Sequence, residues 1–353
     1  MHLERVSFEA VRLSGGQVLV AGNDNVCMQE GLGVRNVESE VWDPRSDRWT
    51  MTPNRTTPRD FPVLAALDDG RALLAGGVGE DSNHFVSGSV ALTSLYDPQN
   101  NEWLPGPSLS VGRYGAAGAR LHDGRILVAG GTWLSGGDAS DLASAEIYDP
   151  LRNMWTMTGS MTQSMGSAHG VTLDDGRVLV VGTHEHIDQP DQPRAELYDP
   201  ATARWTRLKA VSGSPVALPD GGALVISGDG ASLRLDPETL RWNAVRPMPA
   251  HRSGATPARM ATGQILVAGG WAGTGLPKSG HMTRTAQIFD PRTGRWSTTV
   301  SMPDRRRVGV AVALTDGSVL VIGGDTGIVE QEGAGATQCP NPLATAVRYF
   351  PAP

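Results

Sequence analysis

Asp123-Gly124-Arg125-Ile126-Leu127-Val128-Ala129-Gly130-Gly131, followed by Tyr148-Asp149-Pro150 and Trp155, is the clearest copy of a unit that recurs along the 353-residue chain. Asp-Gly between two apolar runs supplies the positive φ of a two-residue hairpin turn, so it joins a first strand, a, to a second, b. The run Ile126 to Ala129 is apolar at every position, as is Val319 to Ile322, which predicts strands buried on both faces. The glycine pair ends strand b where backbones crowd, and a variable stretch follows. Asp-Pro then opens a tight turn from strand c into strand d, with Pro presetting φ at its second position.

The turn glycine recurs at Gly16, Gly70, Gly124, Gly176, Gly221, Gly263 and Gly317. A period of this length, sustained along a chain, marks a repeat architecture. Trp49, Trp103, Trp155, Trp205, Trp242 and Trp296 each follow the Asp of the c–d turn by six residues. Tyr96, Tyr148, Tyr198 and Tyr349 share one strand-c position with Trp42, Leu235 and Phe289, so all of these aromatics are expected to pack within the repeat.

A glycine pair, an aromatic and a Trp at fixed spacing resemble the kelch repeat, in a bacterial-type form. The resemblance implies an all-β, seven-bladed propeller occupying residues 1–353 as one domain. Its blades are expected at about 5–51, 59–105, 113–157, 165–207, 210–244, 252–298 and 306–350. There are seven candidate strands a, b and c but only six Trp-marked strands d, so the last blade is expected to have three strands. Either the ring then closes by face packing, or the natural start lies upstream.

Composition narrows the partners. Gly 44 and Pro 24 suit many tight turns, and the net charge of −7 is dispersed with no basic block, which argues against nucleic acid. No apolar window reaches membrane-span length and Met1 to Gly16 holds no signal-peptide core. The expectation is a cytoplasmic monomer without membrane attachment, or an extracellular one if the natural start is upstream. Cys27 and Cys339 fall in the b–c loops of blades one and seven; they form either a bridge across the seam or two free thiols.

Successive strands are antiparallel, so the b–c and d–a connections share one face of the disc. That face carries the long, dissimilar stretches 23–38, 78–93, 132–144, 183–194, 271–285 and 325–345, where a ligand is expected. Five strands a begin with Arg: Arg5, Arg59, Arg113, Arg252 and Arg306. A residue repeated in most blades either serves the repeat or forms a rim for an acidic ligand. Stress-sensing kelch domains hold acidic peptides with arginines on this face, which the resemblance allows here. The rim would be completed by Asp60 and Tyr114 beside the arginines, by Arg307, and by Trp133 and Trp271, whose indoles could sandwich a ring or sugar.

The run His184-Glu185-His186-Ile187-Asp188 concentrates potential ligands. His184, His186 and Asp188 could hold a divalent metal such as zinc or iron, though exposed polar loops often contain such runs. His169, inside strand a of the same blade, adds to the metal reading, and His169, Glu185 and Tyr114 are the acid–base candidates. The copper-radical oxidases of this fold need two copper-binding tyrosines and a Tyr-His pair; only Tyr114 is spare here and no Tyr-His pair occurs. The sialic-acid mutarotase of this family has six blades, so its residues do not carry over. Two functions remain: a binding module for a protein, anionic or sugar-like ligand, and an enzyme on a small molecule of lyase or isomerase type.

Overall fold

The computed structural model describes residues 1–22, 38–53, 59–80, 86–186, 189–272, 281–330 and 338–351. Seven antiparallel sheets follow one another along the chain, six of four strands and the last of three. Their first strands are Phe8–Arg12, Val63–Ala66, Ala117–Arg120, Gly166–Thr172, Ser214–Ala217, Thr256–Arg259 and Val310–Ala313. Each lies beside the first strand of the next sheet, and the seventh lies beside the first, so these inner strands ring an axis. The molecule is a β-propeller, and each sheet is a blade.

Strand b explains why. Val18 to Ala21, Ala72 to Ala75, Ile126 to Ala129 and Val178 to Val181 are almost completely buried, because each blade is covered on both faces by its neighbours. The core is therefore seven separate wedges between adjacent blades. Every a–b turn glycine has φ between 82° and 93°, as the turn requires. At the c–d turns Asp97, Asp149 and Asp199 accept hydrogen bonds from the backbone two residues on. The strand-c aromatics stack on strand d: Tyr96–Trp103, Tyr148–Trp155, Tyr198–Trp205 and Phe289–Trp296 have ring centroids 4.8 to 5.3 Å apart.

The last blade orders Val310–Ala313, Val319–Ile322 and Ala346–Tyr349, and among the described residues no strand pairs beyond Ala346–Tyr349. The seam to blade one closes by face packing, with Phe8, Val18, Val20 and Trp42 against Val312, Leu314, Leu320 and Ile322. The Arg348 guanidinium lies 5.5 Å from the Trp42 ring. Two backbone bonds add to this: Arg5 N–H to the Leu343 carbonyl at 3.3 Å, and Gly324 N–H to the Arg5 carbonyl at 3.0 Å. Cys27 lies outside the described residues, as does the side chain of Cys339, so the proposed bridge between them does too.

Several b–c stretches expected as loops are hairpins. Val78–Glu80 pairs with Val86–Ser89, and Thr132–Ser135 with Asp138–Asp141; the two hairpins join into one four-stranded sheet above blades two and three. Blade four extends its strands b and c to Val178–His186 and Gln189–Asp199, while blade five turns back within a few residues after Ile226. The loop face therefore has raised walls at blades two to four and at blade seven, where Asp325–Glu330 pairs with Gln338–Pro342, and a low sector at blade five.

Candidate ligand-binding face

The expected arginine rim is not there. Arg5, Arg59, Arg113, Arg252 and Arg306 are all buried, each inside its own blade. Arg113 donates from Nη1 to the carbonyls of Gly130 at 2.8 Å and Ser144 at 3.0 Å, and from Nη2 to Ser144 Oγ at 3.0 Å and Glu146 at 3.1 Å. Arg252 and Arg306 repeat this on Gly269 and Thr285, and on Gly323 and Thr345. Arg59 uses Leu74, Leu92 and Ser94. The physical reason is that strands b and c part here: among the described residues the carbonyls of Gly130, Gly269 and Gly323 accept no backbone bond, those of Ser144, Thr285 and Thr345 accept one and have room for a second, and a planar donor fork serves both at once. Burial pushes the Arg59 guanidinium down to about 10, so it stays charged at neutral pH.

Buried glutamates, which the sequence reading passed over, complete this inner frame. Glu146 also accepts from Ser110 N–H at 2.9 Å. Glu196 accepts from Thr162 and Gln163 N–H, both at 2.9 Å. Each thereby pins the linker entering its own blade. Their signal was a Glu two residues before the strand-c aromatic, at Glu40, Glu146 and Glu196.

What surrounds the axial mouth is a ring of residues two places after those arginines and, in blade four, after Met165 at the same position. Ser7, Phe61, Gly115, Ser167, Gly254 and Val308 have φ between 40° and 67°, the left-handed region. Their backbones link blade to blade: Phe61 N–H to the Ser7 carbonyl, Gly115 N–H to that of Phe61, Ala168 N–H to that of Gly115 and Val308 N–H to that of Gly254. Glycine adopts this conformation freely, whereas a phenylalanine or valine is strained in it. Phe61 and Val308 are nevertheless 50% and 47% exposed at the mouth. The Tyr114 ring lies 6.4 Å from that of Phe61.

The remaining predicted residues divide by neighbourhood. Tyr114 pairs with Thr132 through the backbone, and Thr132 Oγ1 donates to Asp141 at 2.8 Å. Asp141 is buried and lies 2.8 Å from His184 Nδ1, so the loop histidine is held by a carboxylate of the preceding blade. Gly166 has no room for a side chain here: a Cβ would sit 2.4 Å from Asp141 Oδ1. Arg307 is half-buried and pairs with Asp325 at 3.2 Å; burial pushes the Asp325 carboxyl up despite the guanidinium. Asp60 is buried and bridges Val78 through its backbone. Trp133 and Trp271 lie on different hairpins, those of blades three and six. Asp188 and the side chains of Glu185 and His186 lie outside the described residues. Among the described residues no three His, Cys, Asp or Glu side chains converge as a metal site.

Below the mouth, His169 and Glu9 occupy the same strand-a position, opposite Val181 and Ala21, in blades on opposite sides of the ring. The other blades carry Val63, Ala117, Ser214, Thr256 and Val310 there. Both side chains are exposed, yet they sit on the innermost strands, so the solvent that reaches them is that of the axial channel. Confinement by the surrounding strands disfavours charge: it pushes the Glu9 carboxyl up to about 7 and the His169 imidazole down. Glu9 was passed over in the sequence; a carboxylate at an otherwise small or apolar position was its signal.

No family model matches the chain. Kelch-like protein 25 of Xenopus tropicalis is 27% identical over 239 residues, covering 64% of this chain and 38% of that protein. Human Kelch-like protein 23 is 22% identical over 280 residues, covering 76% and 47%. The chain thus spans less than half the length of these relatives, which are vertebrate and not bacterial. Among solved structures, a fungal alcohol oxidase of the AA5 family in complex with copper superposes with a TM-score of 0.68 at 18% identity, covering 97% of this chain and 75% of that one. The structure of YjhT does so at 0.57 and 16%, covering 99% of each. These likenesses show the fold. The tyrosines here do not suit a copper site: Tyr96, Tyr148 and Tyr198 are stacked on strand-d tryptophans and Tyr349 is hydrogen-bonded to Thr299 at 3.1 Å, which leaves Tyr114 at the mouth. The repeat, the ring of blades and these relatives agree: the chain is a β-propeller whose repeats are similar to those of the Kelch-like proteins.

Proposed function

We propose that the chain is a protein-binding module that receives its partner on the loop face, over the axial mouth. The observation that carries this is the pair Phe61 and Val308: bulky residues held in a strained left-handed conformation and exposed, where two sister blades have the unstrained glycine. Strain of order 1–3 kcal/mol at such a position persists where it serves a function. With Tyr114 they form an apolar seat, rimmed by the Arg307–Asp325 pair and by Trp133, which suits a partner loop offering an apolar side chain between polar neighbours. The Kelch-like relatives support a protein partner over a small anion or sugar, and the buried arginines no longer argue for an acidic one.

The test is site-specific photocrosslinking in extract of the source organism. A crosslinker at position 61 should trap a defined partner, and one at Leu151, on the opposite face and 96% exposed, should not. Equal labelling from both positions would refute the assignment of the face.

A second reading, catalysis on a small molecule, rests on the Asp141–His184 pair. A carboxylate holding Nδ1 fixes the tautomer and orientation of the imidazole, the arrangement a general base or a metal ligand needs. Turnover lost on Asp141→Asn with folding intact would favour it.

A further inference from the structure

The ring of strands a leaves a channel along the axis, and one carboxylate stands in it without a counterion. Glu9 is exposed on Phe8–Arg12, and the strands packed against that one are Val18–Gly22 of its own blade, Val63–Ala66 of blade two and Val310–Ala313 of blade seven. None of these three carries a titratable side chain. Arg12 shares the strand but lies three residues on, so its side chain leaves from the opposite face. The strand-a arginines of the same three blades spend their donors inside the sheets: Arg5 on Gly22 and Glu38, Arg59 on Leu74 and Leu92, Arg306 on Gly323 and Thr345. Arg307 is held by Asp325. Confinement alone, with no charged neighbour, sets the behaviour of the Glu9 carboxyl.

The surroundings select what can answer that charge. At the level of Glu9, Val63 and Val310 flank it from the neighbouring blades, and His169 stands on the other side of the ring with its imidazole held neutral by burial. A divalent metal takes four or more ligand atoms, whereas this level offers one carboxylate and, across the channel, one imidazole. An anion would meet the carboxylate. A single positive charge on an apolar stem meets both requirements, since its ammonium replaces the water that the confined carboxylate has lost and its methylene groups cover valine. At the turn-face end, Arg259 of blade six reaches Asp174 of blade four at 3.6 Å, past the intervening blade five, and Arg120 pairs with Asp68 of blade two. These pairs narrow that end, so a guest enters from the loop face.

We propose that the axial channel is a second binding site, for a small organic cation: a primary amine whose ammonium pairs with Glu9 and whose alkyl stem lies along Val63 and Val310 toward His169. The site lies beneath the seat assigned to a protein partner and does not depend on it.

The probe is n-butylammonium chloride, titrated into the 353-residue chain at constant ionic strength and followed through the amide resonances of Glu9, Ala10 and His169. We expect saturable shifts, weakened at least about tenfold by Glu9→Gln. Glu238→Gln, which removes an exposed carboxylate from blade five, should leave them unchanged. Butan-1-ol, the neutral counterpart, and sodium chloride should produce no saturable shift. The Glu9 carboxyl titrates at about 7, so its ionised fraction rises from roughly a tenth at pH 6 to nine tenths at pH 8, and affinity should rise about tenfold over that range. Protonation of His169, displaced to lower pH by burial, acts in the same direction. Glu9→Gln keeps the shape of the side chain, and an unchanged or raised melting temperature shows that lost binding is not lost fold. The proposal is overturned by the absence of saturable shifts, by undiminished binding in Glu9→Gln, by an equal response to butan-1-ol or sodium chloride, or by an affinity independent of pH.

Discussion

Replacing Arg113 by methionine should destabilise the propeller without touching the binding face. The substitution keeps much of the apolar stem but removes the donor fork, stranding the Gly130 carbonyl, leaving the Ser144 carbonyl with the Gly130 N–H alone and the buried Glu146 carboxylate with the Ser110 N–H. Breaking a buried pair by removing one partner costs about 3–5 kcal/mol. The Ser110 bond places Glu146 toward the lower end, about 3 kcal/mol. At roughly 2.1 cal/mol/K of unfolding entropy per residue, 353 residues give about 0.7 kcal/mol per kelvin, so Tm should fall by about 4 °C. Scanning calorimetry of Arg113→Met and of Arg113→Met/Glu146→Gln separates the terms: the double variant should regain about half the loss, the part due to the uncompensated charge. A single variant within about 1 °C of wild type, or a double variant no better than the single, would refute the account of the arginine as an internal staple and reopen its role toward a ligand.

Glu9→Gln should raise stability above neutral pH and leave it unchanged in acid. The folded carboxyl is raised from 4.5 to about 7, so the folded state holds its proton more tightly and wild-type stability falls as pH rises between those values. Because channel solvent reaches the carboxylate, the gain at pH 8 should be on the order of 1 kcal/mol; a Tm difference independent of pH would contradict this. Phe61→Gly should leave stability equal or raised by about 1 kcal/mol, by relieving the left-handed strain, while loss of the aromatic seat weakens partner capture; a clear fall in Tm would show that the ring is structural. Asp141→Ala should release the His184 tautomer from Nδ1–H toward Nε2–H, read from long-range ¹H–¹⁵N spectra, and an unchanged spectrum would mean the carboxylate does not hold the ring.

The repeat was legible because its parts are local: a turn glycine, an apolar strand and a Tyr-Asp-Pro followed by Trp each act within a few residues. The arginines misled because a guanidinium at the loop-face end of strand a has the same sequence appearance whether it turns outward or inward. Only the position of the unpaired Gly130 carbonyl and its equivalents decides, and that depends on where strands b and c part. The hairpin on blade three was within reach, since Gly136-Gly137 is a two-residue turn signal between Thr132–Ser135 and Asp138–Asp141. The strained mouth was not: nothing in the identity of Phe61 or Val308 announces a left-handed backbone, and Gly115 and Gly254 gain meaning only once the blades are superposed. His184 was found, but its partner Asp141 lies 43 residues away on another blade's hairpin, beyond local pattern.

The division of the core into wedges also shapes how the chain reaches this state. No blade owns a core, so an isolated sheet has little to collapse onto, and each wedge forms only when two successive blades meet. Six of the seven join neighbours along the chain. The seventh unites Phe8 and Val20 with Leu320 and Ile322, across nearly the whole sequence. Loop-closure entropy grows only logarithmically with length, so that wedge is affordable at equilibrium. Its cost falls on time instead: contacts of such separation form late, so folding should proceed as an arc that lengthens blade by blade and closes in a slow final step.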